Sequence, residues 1–219
     1  MDGREGSGAL DLESALSALP VFPLPGTVFF PNTLLPLHVF EPRYRQMTEN
    51  VLVAGGMMGV VLLQDGSGAL HSVAGLGRVI HHERLPDGRF HILLQGMARV
   101  RLVEELPADG LLYRRVRARL LTDVEEDAAD VARELKTLKA CYSRFLEACP
   151  EARAGLGDLC ARIHDPAMLA DIICASVLEE PCTRQAALED LSVVGRLKRA
   201  SDALAAALLV KMGDDGCIH

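Results

Sequence analysis

The spacing of hydrophobic residues along this chain changes once, near Asp123. Before that point the apolar runs are short, several alternate with polar residues, and glycines and prolines separate them, which predicts β-strands. After it, apolar residues recur every three or four positions, which predicts amphipathic helices. The sequence therefore predicts an α+β protein, with a β-rich part up to residue 122 and a bundle of α-helices after it.

Five segments of the first part have the composition and the boundaries of β-strands. Residues 57–63 are continuously apolar between turn signals, which is typical of a buried strand. A Pro-Asp-Gly sequence at 86–88 predicts a hairpin turn between two further strands, and Gly96 is expected to separate the second of these from the next. We expect strands at 57–63, 73–85, 89–95, 98–106 and 112–121.

Six of the 11 prolines lie between Leu19 and Met47. Because proline fixes φ and lacks an N–H donor, this stretch is predicted to form short extended pieces, and neither a long helix nor a central strand. Residues 34–40 fit an edge or bulged strand around Pro36. A helix is expected at 42–53, since proline suits a first helical position and two glycines follow as a stop signal.

One long helix is predicted at 124–149, where two sets of apolar residues each repeat every seven positions. The sets are Val124, Val131, Leu138 and Phe145, and Ala128, Leu135, Tyr142 and Cys149. We expect the stripe that they form to be buried. Further helices are expected at about 152–163, 166–178, 183–191 and 192–212.

Composition supports a globular core and argues against two classes of partner. Hydrophobic residues make up 49% of the chain but aromatic residues only 4%, so Leu, Val and Ala must build the core, with Met as filler. The net charge is −7, and the excess of acids lies after residue 122. A neutral first part and an acidic second part offer no electrostatic footprint for nucleic acid or anionic lipid.

The sequence predicts neither secretion nor a membrane span. Residues 1–10 carry acids and glycines where a signal peptide would have a basic end and an apolar run. The apolar runs stop well short of the ~20 residues that cross a bilayer. We therefore expect a cytoplasmic protein whose six cysteines are thiols.

Several segments of the chain resemble one known family. They are LPVFPLPGTVFFPN and LPLHVFEPRYRQM within 19–47, LPDGRFHILLQGMARVRL at 85–102, and the helical tail from Asp165. The family is the N-terminal, substrate-recruiting domain of the ATP-dependent protease Lon, which also occurs in stand-alone bacterial proteins and in cereblon. The resemblance implies a PUA-like β-subdomain at 19–122, a twisted sheet or pseudo-barrel with one helix, and a helical subdomain at 123–212. Residues 1–18 would then be a flexible N-terminal segment and 213–219 a tail.

The resemblance is to a recognition domain and not to the catalytic parts of Lon proteases. The sequence has no Gly-x-x-x-x-Gly-Lys-Ser/Thr phosphate-binding loop, and its four lysines belong to no Ser-Lys catalytic motif. We therefore expect a stand-alone, non-catalytic member, with no catalytic residues and no cofactor. For partners, the resemblance implies unfolded or tagged protein segments, which could be presented to a protease or to another partner protein.

Histidines and cysteines offer weak candidates for a metal or catalytic site. Cys160 and His164 stand four residues apart on one predicted helix, which fits two ligands of one metal, but the paired-cysteine signature of zinc sites is missing. His38 has no nucleophile motif beside it, and the adjacent His81 and His82 point to opposite faces of a strand. We therefore expect core thiols and structural histidines, with no metal site.

Seven residues are candidates for contacts with a bound peptide, namely Phe29, Phe30, Met57, Met58, Glu41, Arg43 and Arg45. Aromatic and thioether side chains near a sheet edge suit adaptable apolar contacts, and core packing is the alternative interpretation for them. The charged residues belong to the EPRYR segment of the resemblance. Their alternative role is structural, with Glu41 at a helix N-terminus and the arginines joining that helix to the sheet.

RNA binding is the alternative function, because PUA-like folds also occur in RNA-modifying systems. Arg115, Arg117 and Arg119 alternate with apolar residues in one predicted strand and could form a basic stripe. The other interpretation of this stripe is a solvated face that pairs with acids such as Glu104 and Glu105. Salt separates the two functions, since binding to phosphates weakens steeply with salt and apolar contacts do not.

Overall fold

The computed structural model describes residues 12–64, 66–150, 157 and 159–215, and these form six strands and seven helices. The chain divides into two compact units, residues 1–121 and 122–219, and the first holds all six strands. The predicted α+β class is therefore confirmed. The predictions for residues 1–11, 65, 152–156, 158 and 216–219 lie outside the described residues.

The first unit has a short helix, six strands and one longer helix. In chain order these are α1 (12–17), β1 (Leu19–Leu24), β2 (Leu34–Val39), α2 (Pro42–Val53), β3 (Met57–Leu62), β4 (Val73–Arg84), β5 (Phe90–Glu105) and β6 (Arg115–Leu121). The helix predicted at 42–53 and the buried strand predicted at 57–63 are both confirmed, the latter ending one residue earlier.

The six strands form one mixed sheet in the order β2-β5-β4-β3-β1-β6. The pair β1 and β3 is parallel, and the other pairs are antiparallel. A further pairing of β5 with β6 closes β5, β4, β3, β1 and β6 into a small barrel. β2 lies outside this ring, because it pairs with the first half of β5, from Phe90 to Gln95.

The predicted hairpin between β4 and β5 is confirmed, with Pro-Asp-Gly in its turn. Leu85 N–H donates to the Arg89 oxygen at 2.8 Å, and Gly88 N–H donates to the Leu85 oxygen at 2.9 Å. Gly88 has a φ of 81°, a left-handed conformation that glycine adopts without steric cost. The Asp87 carboxylate accepts a hydrogen bond from the Arg89 amide at 3.1 Å, which is the local bond that favours Asp in turns.

The predicted strand boundary at Gly96 is wrong, because Gly96 lies inside β5. β5 exchanges β2 for β6 as its partner near this residue, and the chain from Phe30 to Thr33 crosses it there. Asn32 N–H donates to the Gly96 oxygen at 2.9 Å, and Gly96 N–H donates to the Thr33 oxygen at 2.8 Å. A Cβ at position 96 would collide with the Phe30 carbonyl oxygen. This glycine therefore marks a close approach of two backbones and not the end of a strand.

The expectation that prolines exclude this stretch from the interior of a sheet is wrong for β1, which lies between β3 and β6. The Val21 amide points toward β6, since it donates to the Arg114 oxygen at 3.0 Å. Amides alternate sides along a strand, so the nitrogen of Pro23 also points toward that side, past the last β1–β6 pair at Pro20. The nitrogen of Pro20 points toward β3, before the register with β3 begins at Val21. Each missing donor thus lies just outside a hydrogen-bond ladder.

β3 is buried on both faces, which explains its continuously apolar sequence. Met58 and Val60 pack into a hydrophobic cluster with Met47 of α2. Val61 packs into a second cluster with Val21 of β1. The helix α2 therefore covers one face of the sheet, and its apolar spacing is the reason that it is a helix here.

The second unit contains five described helices, α3 (Ala128–Ala148), α4 (Leu159–Arg162), α5 (Pro166–Val177), α6 (Pro181–Glu189) and α7 (Val193–Asp215). Asp165 caps α5, because its carboxylate accepts a hydrogen bond from the Ala167 amide at 3.0 Å. α7 continues to Asp215, beyond the predicted end at Met212. None of the described helices has both the length and the apolar character of a membrane span.

The long helix α3 starts later than predicted, at Ala128. The Asp127 carboxylate accepts a hydrogen bond from the Ala129 amide at 2.7 Å and fixes this start. Val124 therefore lies outside the helix and is 50% exposed, so it does not belong to the buried stripe. Leu138 and Tyr142 are buried, and the predicted stripe is correct in the middle of the helix.

Candidate functional site

The four apolar candidates for peptide contacts are all core residues. The exposed fraction is 2% for Phe29, 0% for Phe30, 5% for Met57 and 0% for Met58. Phe29 and Met58 belong to the hydrophobic cluster under α2. The structure thus gives these side chains the packing role that was the alternative interpretation. A surface that contacts a peptide must be built from other residues.

Glycines in β4 and β5 explain why Phe29 and Phe30 lie inside. A Cβ added at Gly75 would collide with the Phe29 carbonyl oxygen, and one at Gly77 would lie 2.5 Å from the Phe29 ring. At Gly96 an added Cβ would collide with the Phe30 carbonyl oxygen. The segment that carries both aromatic residues therefore lies directly against the sheet, where only glycine leaves room for it.

The three charged candidates lie at the start of α2 and do different things. Glu41 is the N-cap residue, but its carboxylate makes no capping bond and instead accepts a hydrogen bond from Arg43 Nε at 2.9 Å. The Arg43 guanidinium also lies 4.6 Å from the centre of the Tyr44 ring. Arg45 lies against the β4–β5 turn, where a Cβ added at Gly88 would collide with its guanidinium. Arg45 thus joins helix and hairpin, whereas Glu41 and Arg43 lie near the surface.

A groove of about 600 Å³ lies at the place where the barrel is open. The first half of β5 pairs with β2, and β6 pairs with β5 only after that half. No described strand pairs with the outer side of β2 or with β1 beyond Pro20 on its β6 side, and we call these two sides free edges. The end of β1 and its turn line the groove together with β2, the first turn of α2 and residues 112–114. Part of the groove lining therefore belongs to the segment LPLHVFEPRYR that carries the resemblance, and the rest of the lining comes from neighbouring elements.

Two large apolar side chains of this groove are exposed to solvent. Phe40, which directly follows β2, is 60% exposed, and Leu112 is 59% exposed. Pro23, Leu24 and Leu37 extend the apolar lining. Exposed apolar side chains that cluster around a concave surface are typical of sites that bind other molecules, whereas single exposed ones need no such explanation.

The loop that carries Leu112 is fixed to α2 by two hydrogen bonds. Leu112 N–H donates to Gln46 Oε1 at 2.8 Å, and Asn50 Nδ2 donates to the Tyr113 hydroxyl at 3.0 Å. The floor beneath is aromatic, since the ring centres of Phe22 and Tyr44 are 4.1 Å apart. Burial raises the pKa of the Tyr44 hydroxyl, and the nearby charge of Arg43 lowers it by less. The groove is thus held open by packed and bonded elements.

The charged side chains that line the groove are paired with each other or with a neighbour. Arg43 Nη2 lies 2.7 Å from Glu41 Oε2. Arg114 binds both carboxylate oxygens of Glu105, at 2.7 and 2.5 Å, and also donates to the Gly68 oxygen at 3.2 Å. The hydrogen bonds between Arg114 and Glu105 hold the pKa of the Glu105 carboxyl below its ordinary value and raise the pKa of the Arg114 guanidinium. The groove therefore presents an apolar surface with internally neutralised charges.

The arginines of β6 fit the interpretation as a solvated face. Arg115 Nη2 lies 2.9 Å from Asp109, and Arg117 Nη1 lies 2.7 Å from Glu104. Arg119 is exposed and lies opposite Arg101 of β5 in the register. Two of the three arginines are thus paired with acids in their own unit, which reduces the positive potential that RNA would meet.

The weak metal and catalytic candidates gain no support from the geometry. α4 ends at Arg162, so His164 does not share a helical face with Cys160, and that prediction is corrected. Burial raises the pKa of the Cys160 thiol. The five cysteines in the described ranges are free thiols, and no His, Cys, Asp or Glu cluster in these ranges could hold a metal. The His38 ring meets His91 edge-on, at 4.9 Å between ring centres.

Sequence reasoning missed Phe40 and Leu112 as surface residues. The alternation in β2 contains the signal for Phe40, because Leu34, Pro36 and His38 are exposed and residue 40 has the same parity. Leu112 has no such signal. Its exposure follows from the two hydrogen bonds between this loop and α2. The residues that they join are separated by 66 and by 63 positions in the chain.

Comparisons with known proteins give a consistent result. Residues 18–206 match the family model of the ATP-dependent protease La (LON) substrate-binding domain. The chain is 28% identical over 186 residues to Lon protease of Roseiflexus castenholzii, covering 83% of this chain and 23% of that protein. It is 27% identical over 201 residues to Lon protease 2 of Myxococcus xanthus, covering 87% and 24%. The chain thus spans about a quarter of the length of these relatives.

Two solved structures share the fold. The N-terminal domain of Mycobacterium avium complex Lon protease superposes with a TM-score of 0.66 at 20% identity, over 86% of this chain and 98% of that one. The Lon N-terminal domain protein from Xanthomonas campestris gives a TM-score of 0.60 at 19% identity, over 83% and 95%.

Proposed function

We propose that this chain, which belongs to the LON substrate-binding domain family, binds unfolded or tagged segments of other proteins in the groove between β1 and β2. Family membership supports a role in substrate recognition. One observation supports binding of unfolded segments: Phe40 and Leu112 expose large apolar surfaces beside a groove whose charges are already paired. Unfolded chains differ from folded ones in exposing such apolar side chains, so they are the ligands that this surface suits.

The proposed role includes handing segments to a partner and excludes cutting them. The relatives named above are Lon proteases, and this chain matches about a quarter of their length. A segment held in the groove would be available to a protease or to another partner protein. Glu41 and Arg43 would then border the ligand at the rim, where they lie within the groove lining.

The test compares the binding of a fluorescein-labelled unfolded polypeptide to the wild type and to two variants. Phe40→Ser and Leu112→Ser should each weaken binding by roughly five- to thirtyfold. Burying the exposed part of such a side chain contributes about 1 to 2 kcal/mol. Both residues are more than half exposed, so the variants should stay folded, which circular dichroism can verify. Phe29→Ser and Met58→Ser are unsuitable here, because either change would open the core.

Val53→Ser is the matched control. Val53 is 91% exposed at the end of α2 and does not line the groove. The Val53→Ser variant should bind the polypeptide as tightly as the wild type does. Binding by the wild type should persist as the salt concentration is raised. Equal binding by the wild type and both groove variants would refute this site. Binding that disappears at moderate salt would point to the arginines of β6 instead.

A further inference from the structure

The two strands that border the groove have free edges, and the direction of their amides follows from the structure. Thr33, directly before β2, accepts a hydrogen bond from Gly96 of β5 at 2.8 Å. In an antiparallel ladder the N–H and the C=O of one residue point to the same side, and successive residues alternate. The backbone N–H and C=O groups of the odd-numbered residues of β2 therefore point toward β5. The backbone groups of Leu34, Pro36 and His38 point away from β5, to the side where no described strand pairs with β2.

Both free edges carry a proline where an incoming strand would need a donor. On β2 this is Pro36, the central one of the outward-pointing residues. On β1 it is Pro23, whose nitrogen points past the end of the pairing with β6 and which lines the groove. Proline has no N–H, and its ring occupies the space of the missing hydrogen. An extended segment could therefore form only an interrupted ladder with either strand.

We propose that the groove holds a bound segment by its apolar side chains alone, while the main chain of the segment stays hydrated. The occupant is an uncharged, apolar-rich segment of an unfolded polypeptide. The paired states of Arg43 and Arg114 leave no free charge in the lining to select a charged one. Such a site accepts many sequences and main-chain conformations, because Pro36 and Pro23 interrupt any ladder that the backbone of the segment could form. This inference rests on the proposed function and specifies its binding mode.

The experiment uses three labelled peptides of one uncharged sequence that contains Phe and Leu. One peptide is unmodified, and the other two carry N-methyl groups on alternate amides, one on the odd and one on the even set. Strand addition uses one of these sets, so one methylated peptide would lose several main-chain hydrogen bonds and weaken by well over tenfold. Our proposal predicts that all three bind the wild type within about threefold of one another. A larger loss for either methylated peptide overturns it.

Pro36→Ala tests the role of the proline itself. This variant places an N–H at the centre of the free edge of β2 and should strengthen binding of the unmodified peptide and of the one methylated peptide whose methyl groups point away from β2. No gain would overturn the role assigned to Pro36. The result also separates the two proposals. If none of the peptides binds the wild type, the proposed function fails and this inference fails with it. If the unmodified peptide binds, Phe40→Ser weakens it and one methylated peptide is lost, only this inference fails.

Discussion

The ion pairs of the buried Arg196 side chain give the sharpest prediction about stability. Arg196 lies in α7 with a side chain that is 0% exposed. Its Nη1 and Nη2 donate to the two carboxylate oxygens of Asp123 at 2.7 and 2.9 Å, and Nη1 also donates to the Asp190 carbonyl oxygen at 2.9 Å. Its Nε lies 3.1 Å from Asp171, whose side chain is 3% exposed. Burial lowers the pKa of Arg196, but the Asp123 bonds and the acidic neighbours outweigh burial and raise it.

Arg196→Met keeps the length of the side chain and removes its charge. The buried Asp171 carboxylate then loses this counter-charge, and breaking such a pair costs about 3 to 5 kcal/mol. Asp123 should add little, because it is 34% exposed and water can solvate it. We therefore expect the free energy of unfolding of the helical unit to fall by about 3 to 5 kcal/mol. Urea titration followed by circular dichroism at the helical band measures this loss.

Two further variants distinguish the buried charge from a general loss of an arginine. Arg43→Met removes an exposed pair, with side chains 53% and 39% exposed, and should cost less than about 1 kcal/mol. Adding Asp171→Leu to Arg196→Met removes the buried carboxylate as well and should restore part of the stability. If Arg196→Met costs no more than Arg43→Met, or if the double variant is less stable than the single one, the reasoning is refuted.

Leu138→Ala should lower the free energy of unfolding by about 2 to 5 kcal/mol in the same titration, because Leu138 is fully buried in α3. Glu126→Gln should destabilise at neutral pH and less in acid. Burial raises the Glu126 pKa, but hydrogen bonds from Ser192 and Val194 hold it below the ordinary 4.5, so its stabilisation is lost as the pH falls below that value. The purified chain should release neither peptides from labelled casein nor phosphate from ATP, since its sequence has no phosphate-binding loop and no Ser-Lys motif.

Matched controls exist for these expectations. Leu209→Ala changes a residue of α7 that is 72% exposed, and a Leu138→Ala loss no larger than this one would show that Leu138 does not pack in the core. Glu125→Gln changes the exposed neighbour of Glu126. If the loss of unfolding free energy in Glu126→Gln stays constant from neutral pH to acid, the pKa of Glu126 is not lowered in the folded state. Turnover of casein or ATP by the purified chain would contradict a purely recognition role.

Local sequence signals predicted the elements whose structure is decided locally. Pro42 and the glycines after Ala54 set the limits of α2, and the Pro-Asp-Gly turn set the hairpin between β4 and β5. In α3 the heptad spacing predicted that Leu138 would be buried. It placed the start too early, because a side-chain cap at Asp127 and not the first apolar residue determines where the helix begins.

Pairing between strands decided what local signals could not. Pro20 and Pro23 were expected to exclude their stretch from a sheet interior, but the partners of β1 end where each missing donor points. Gly96 looked like the end of a strand and is a crossing point of two backbones. In both cases the decisive neighbour is far away in the sequence, and local sequence patterns do not specify which strands pair or in which register.

The position of the site depends on the same long-range pairing. Phe29 and Phe40 are both aromatic residues of one proline-rich stretch, and composition cannot tell which of them is free to contact a ligand. Phe29 is buried because Gly75 and Gly77 of β4 leave room for its backbone and ring. Phe40 is exposed because β2 lies outside the closed ring and faces the groove. The glycines of β4 thus determine that Phe29 is buried, whereas the position of Phe40 depends on the pairing of β2 with β5.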